Sequence, residues 1–134
     1  MVVLVDTNVV FDVLAKRQPH YGASNQILCL CRRRAVAGAV AFHTVANLFY
    51  YYGKTAAPFL RERLLVDMAV HGASSATIQD VLRWGMTDLE DALQAAAATA
   101  AGASFIVTRN VKDFKFSRVP ALAPGDFIER FHPS

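Results

Sequence analysis

The run Val2-Val3-Leu4-Val5, broken at once by Asp6-Thr7-Asn8, constrains this chain more than any other stretch. Apolar residues in an unbroken row, mostly valine, read as a strand buried on both faces, and such strands belong to parallel sheets covered by helices. In sheets of that kind ligands gather outside the carboxyl ends of the strands. A carboxylate at that end either lines a reaction site or starts a helix, where Thr7 or Asn8 offers a cap. The choice turns on whether other acids come to the same edge.

The rest of the chain alternates helix and strand signals. A short helix over 9–16 ends at the Gln18-Pro19 step. A second spans 21–34, with Ile27, Leu28 and Leu30 on its apolar side and Arg32-Arg33-Arg34 at its end, where cations oppose the helix dipole. Residues 36–42 read as strand two, and 44–52 as a helix closed by Gly53. Pro58 opens a fourth helix to about Val70, before Gly72, and 73–76 reads as a weak third strand. A short helix over 77–84 stops at Gly85. Thr87-Asp88-Leu89-Glu90 fits a capping box, so a helix is expected from there to Ala101, with Gly102 as its C-cap. Strand four is 104–107; a short strand over 119–122 and a helix over 124–131 follow. The pattern predicts one domain over 1–134, a three-layer α/β/α fold around a parallel sheet of four to five strands.

With 134 residues, 54% of them hydrophobic, the chain has enough material for a packed core and is not of a disordered class. A net charge of +3, carried mostly by arginine, permits nucleic acid as a partner without demanding it. Cys29 and Cys31 are too close for an unstrained disulfide, and no second pair completes a zinc site, so two reduced thiols are expected. The first apolar run has no basic leader, so no secretory signal is expected. Residues 35–53 and 92–108 lack Asp, Glu, Lys and Arg, but each divides into a strand and a helix. A cytoplasmic protein without a membrane span is the expectation.

The chain has only eleven acids, and their placement is informative. Asp6 ends strand one; Asp88, Glu90 and Asp91 open the helix before strand four; Asn110 and Asp113 follow that strand. Asp88 and Asp91 share a helix face while Glu90 is expected to point elsewhere. Asp91 is in line with Ala95 and Ala98, small residues that let the helix approach the sheet and bring Asp91 towards Asp6. Carboxylates in one pocket repel one another unless a cation joins them, and with oxygen ligands alone Mg2+ or Mn2+ is the natural ion. His20, His43, His71 and His132 form no catalytic pattern and read as surface or packing residues. Phe49, Tyr50, Tyr51 and Tyr52 are too many aromatics for one buried helix side, so some are expected to be exposed to a partner.

Taken in order, Asp6-Thr7-Asn8, Asp91-Ala92-Leu93 at the start of an Ala-rich helix, and Gly102 to Asn110 ending in Thr108-Arg109-Asn110, with Asp113-Phe114 beyond, resemble a PIN domain. The resemblance covers nearly the whole chain, and the VapC toxins belong to the same superfamily. It implies a Mg2+- or Mn2+-dependent endoribonuclease and admits the toxin of a toxin–antitoxin pair, with RNA as substrate, an antitoxin as partner and a homodimer as default. It assigns catalysis and metal binding to Asp6, Asp91 and Asp113. Asn47 and Asn110 stand where the family places its other acids, so they are expected to orient water or substrate, with Asn8, Asp88 and Thr108 as supporting polar groups. Arg109, Lys112 and Lys115 are expected to contact phosphates, with Arg118, Lys16 and Arg17 as further basic candidates. The rival reading is a degenerate PIN module that binds RNA or protein without cutting.

Overall fold

In the computed structural model, which describes residues 1–131, strand β1 (Val2–Val5) is the middle strand of a five-stranded, all-parallel sheet ordered β3-β2-β1-β4-β5. Its neighbours are β2 (Ala37–Ala41) and β4 (Phe105–Val107), so Leu4 pairs with Ala39 on one side and Ile106 on the other. Strands β3 (Met68–His71) and β5 (Ala121–Leu122) form the edges. The helices are α1 (Thr7–Leu14), α2 (Tyr21–Arg32), α3 (Phe42–Tyr52), α4 (Ala56–Phe59), α5 (Leu65–Asp67), α6 (Ser75–Arg83), α7 (Leu89–Ala101) and α8 (Pro124–Phe131). A π-helical turn, Leu60–Leu64, joins α4 to α5. This is the three-layer parallel α/β fold that the sequence predicts.

The two faces of the sheet are packed differently. Because side chains alternate along a strand, Val3 and Val5 point into one core and Leu4 into the other. The first core is built from bulky groups: Val9, Val10, Ile27, Leu28, Leu48, Leu64 and Phe127. Burying each side chain of this kind stabilises the fold by about 1.5–3 kcal/mol. The second core is largely alanine, with Ala92, Ala95, Ala96, Ala97 and Ala98 of α7 against Leu4, Ala39 and Ile106. Methyl groups let α7 lie close to the sheet, and that closeness carries its N-terminus to the end of β1. On the other side, a Cβ at Gly38 would stand 2.5 Å from the Sγ of Cys31, so the approach of α2 to β2 requires a glycine there. Burial pushes the Cys31 thiol up to about 12, which keeps it neutral, and both cysteines are free.

Several expected boundaries move. The fourth helix does not run to Val70: it ends at Asp67, and Met68–His71 pairs with Gly38–Ala41 as β3. An apolar run of that length suits either state, and sheet pairing decides. The strand expected at 73–76 is absent; Ser74 instead caps α6, its Oγ accepting from the Thr77 N–H at 3.2 Å. Helix α7 is capped by Asp88, not by Thr87, and α1, α2 and α3 each start or stop within two residues of the expected bounds. Gly102 closes α7 with φ of +67°, as expected of a glycine cap.

Candidate active site

Asp6 follows the last residue of β1 and caps α1, its Oδ1 accepting from the Thr7 N–H at 2.7 Å. Its Oδ2 accepts from the Thr108 hydroxyl at 2.8 Å and from the Asn8 amide at 3.3 Å. Asn8 also donates to Thr108 Oγ1 and accepts from the Arg109 N–H at 3.2 Å, so it clasps the ends of β1 and β4 together. Thr108 Oγ1 in turn accepts from the Asn110 N–H at 3.0 Å. Among the described residues this buried carboxylate is thereby held by neutral donors. Burial pushes the Asp6 carboxyl above its ordinary range; the Thr108 and Thr7 hydrogen bonds pull it down, and Glu90 and Asp113 push it further up.

Asp91 comes to the same place from α7. Asp88, as N-cap, accepts from the Asp91 N–H at 3.0 Å and so fixes the first turn. Asp6, Glu90, Asp91, Asn8, Asn47 and Asn110 line one cavity of about 510 Å3. Burial raises the Asp91 carboxyl to about 6, and the charges of Asp88, Asp6, Asp113 and Glu90 add to the rise. Behind Thr7, the Gln94 amide donates to Thr7 Oγ1 at 2.8 Å and to Thr44 Oγ1 at 3.0 Å, tying α7 to α1 and α3. His43 packs beside this amide at 3.2 Å, and burial lowers its pKa. That agrees with a packing role; His132 is outside the described residues.

Not every predicted residue joins the cavity. Asp113 lies on the 3-10 turn Val111–Phe114 and lines an adjoining recess of about 350 Å3 with Asp88, Asp91, Lys112 and Lys115. Asp91 borders both spaces. Arg109, an expected phosphate contact, instead gives its guanidinium to the fully buried Asp12, with bonds of 2.7 and 3.2 Å. Arg17 does line the cavity, but it donates to the Tyr52 hydroxyl at 3.1 Å and lies over the Phe11 ring.

Glu90 is the reverse case. Expected to point away, it lines the cavity, its Oε1 accepting from the Asn47 amide at 2.9 Å. Helical spacing separates it from Asp91, but the first turn of a helix opens on whatever lies ahead of its N-terminus, and here that is α3. The signal lay in the cap: with Thr87 at the start Glu90 is the capping-box acid that turns back on the cap N–H, whereas with Asp88 at the start it is released from that role and reaches Asn47.

The PIN domain family pattern matches residues 2–112, and the chain belongs to that family. Among curated proteins none matches it in sequence. Solved structures similar to it include VapBC2 from Rickettsia felis bound to a promoter DNA fragment, at TM-score 0.68 and 20% identity over 92% of this chain and 98% of that one. FitAcB from Neisseria gonorrhoeae gives TM-score 0.68 at 18% identity, over 92% and 98% of the two chains. VapC20 from Mycobacterium tuberculosis, described as a toxin cleaving the sarcin–ricin loop, gives 0.58 at 15%, over 78% and 86%. At these identities the likeness is one of fold.

Proposed function

We propose that the chain is an endoribonuclease that hydrolyses RNA phosphodiester bonds with Mg2+ or Mn2+ held by Asp6 and Asp91. The observation that carries this reading is the convergence of these two carboxylates, from β1 and α7, in one cavity, with no cation paired to either among the described residues. PIN membership supports it, as does the fold shared with a toxin described as cutting the sarcin–ricin loop.

The donors fit such an ion. They are oxygens only, which a hard dication prefers. Burial first, and the neighbouring carboxylates after it, raise Asp91, and a cation would offset both costs of its charge. Among the described residues no three His, Cys, Asp or Glu side chains form a closed ligand set. The cavity, at about 510 Å3 against about 30 Å3 per water, leaves room for an ion that keeps part of its hydration, as Mg2+ does. When bound, the ion supplies a water of lowered pKa and offsets charge on the reacting phosphate. The protein's part is placement. Thr108, Asn8 and the Thr7 N–H fix Asp6; the Asp88 cap fixes Asp91; Asn110 is placed to orient water or substrate. Asp113, in the recess alongside, is the proposed acceptor of the proton that the attacking water gives up.

An acidic cup needs basic surroundings to accept RNA. Lys112 and Lys115 border the Asp91–Asp113 recess, and beyond them Lys115 lies 5.0 Å from the Phe116 ring centroid and Arg118 lies 5.3 Å from that of Trp84. Cations beside aromatic faces suit a single strand, whose phosphates and bases engage the two in turn. An antitoxin-like protein and a second copy of the chain are the proposed partners of the exposed α3 surface, where Phe42 is 68% and Tyr50 81% exposed. Among the described residues no helix is long and apolar enough to cross a membrane.

The test is incubation of the full chain with structured RNA in Mg2+, Mn2+ or EDTA. Cleavage is expected with either metal, none in EDTA, and none by the Asp91→Asn variant; cleavage that survives this substitution sinks the reading. The amides Asn47 and Asn110 favour one alternative, a module that binds RNA without cutting, whose mark is metal-independent binding and intact RNA in every tube.

A further inference from the structure

We propose that Glu90 is a third carboxylate of the metal site and that Asn47 is the positioning residue that aims it. This rests on the reading above, that a divalent cation binds between Asp6 and Asp91. The geometry is independent of that reading: Glu90 lines the same cavity as the two aspartates, and its only side-chain hydrogen bond among the described residues is the 2.9 Å one from Asn47.

The chemistry of the partner matters. An arginine or lysine at position 47 would cancel the charge of Glu90, and an acid there would repel it. An amide does neither. It offers an N–H that fixes one carboxylate oxygen, Oε1, brings no opposing charge, and leaves the second oxygen to the cavity. Glu90 is exposed at the open end of α7 and Asn47 is half-buried on α3, so an anchored residue orients a mobile one. The tie is the more informative because the cavity's own cation, Arg17, is engaged with Tyr52 and Phe11 and does not claim Glu90. Three carboxylates thus line the cavity beside one neutral clamp without yet closing on a common point, and a bound cation would draw Glu90 in from α7 in place of an acid at position 47.

Mn2+ binding to the full chain, followed by calorimetry and by the metal's electron paramagnetic resonance signal, tests the assignment without reference to cleavage. Glu90→Gln is expected to weaken binding by about tenfold or more, on the scale at which metal-site carboxylates act. Asn47→Ala is expected to weaken it by a smaller factor, and Asn47→Ala with Glu90→Gln to be no weaker than Glu90→Gln alone, because the clamp acts only through the carboxylate. Moving the charge back, with Asn47→Glu and Glu90→Gln together, is expected to recover most of the affinity that Glu90→Gln loses. If Glu90→Gln binds Mn2+ as the wild type does while Asp6→Asn and Asp91→Asn do not, the inference falls and the nuclease reading stands. If the wild type binds no Mn2+, both fall. Position 90 is on the surface, and an unchanged circular-dichroism melt of metal-free Glu90→Gln separates loss of binding from loss of fold.

Discussion

Two buried acids on adjoining turns meet opposite fates. Asp12, fully buried on α1, receives a bidentate guanidinium from Arg109 and a hydroxyl from Ser24 at 3.1 Å. Asp6, 6% exposed at the start of the same helix, receives only neutral donors among the described residues, with Glu90 and Asp91 facing the same cavity. Consecutive residues at the end of β4 serve the two: Thr108 holds Asp6 and Arg109 holds Asp12. The fold therefore has an arginine within reach of this edge and uses it to neutralise the structural acid. The difference teaches how to tell a carboxylate that holds the molecule together from one whose charge is kept for something else. In the first the charge is cancelled within the chain; in the second it is positioned but left standing.

The sharpest way to break this contrast is to neutralise each acid in turn. Asp6→Asn and Asp91→Asn are expected to lower RNA cleavage by about 100-fold or more and to abolish the rise in melting temperature on adding Mn2+. Arg109→Met is expected to leave the Mn2+ effect in place but to cost about 3 kcal/mol of stability, because it strands a buried carboxylate without its cation. Urea unfolding with and without metal measures both. If Arg109→Met folds as stably as the wild type and only RNA affinity falls, the sequence-based assignment of Arg109 to phosphate is right and the structural one is wrong.

How much of this was legible beforehand follows the same division. The strand ending at Asp6, the alanine face of α7 and the return of Asp91 to the end of β1 were all readable, because they are set by hydrophobic period and side-chain size. Glu90 was not, since a one-residue error in the cap of α7 gives it the capping-box role, folded back on the cap, in place of the reach to Asn47 that the structure has. The tie of Arg109 was hidden for a related reason: flanked by Thr108 and Asn110 it resembles a site residue, and nothing local shows that Asp12, far off in the chain, holds its guanidinium. Strand β3 was hidden because an apolar stretch after a helix carries no mark of whether it extends the helix or joins a sheet. Local pattern predicts elements; pairings between distant charges are written only in the fold.

The contrast also predicts a dependence on pH. Asp91 titrates near 6 in the folded protein and near its ordinary, lower value when unfolded, so the folded state holds the extra proton between those values. Stability from this group is therefore fully present below the unfolded pKa and is lost as pH rises through about 6. Solvent reaching the carboxyl screens the effect to about 1 kcal/mol. Metal-free wild type is expected to lose stability from pH 4 to pH 7 relative to Asp91→Asn, on the order of that amount, and saturating Mn2+ is expected to remove the difference. A gap that widens as pH falls would reverse the sign and show Asp91 to be held by a partner, like Asp12.

The smallest expected effect concerns the basic flank, where no single residue carries the binding. Trp84 is the chain's one tryptophan, and Arg118 lies over its ring in a recess shared with Phe116. An oligoribonucleotide held along Lys112 and Lys115, as proposed, would pass this ring, so titration of the Asp91→Asn variant in EDTA, where no cleavage is expected, is expected to change its fluorescence. Replacing Lys115 or Arg118 with glutamine is expected to weaken binding several-fold and to lower the slope of log affinity against log salt by about 0.7, the contribution of one phosphate contact on a single strand. The same substitutions are expected to leave the Mn2+ melting shift untouched, because these cations lie outside the acidic cavity. A salt slope unchanged by either variant would place the strand elsewhere, and Arg17, at the cavity mouth beside Tyr52, would be the next basic residue to replace.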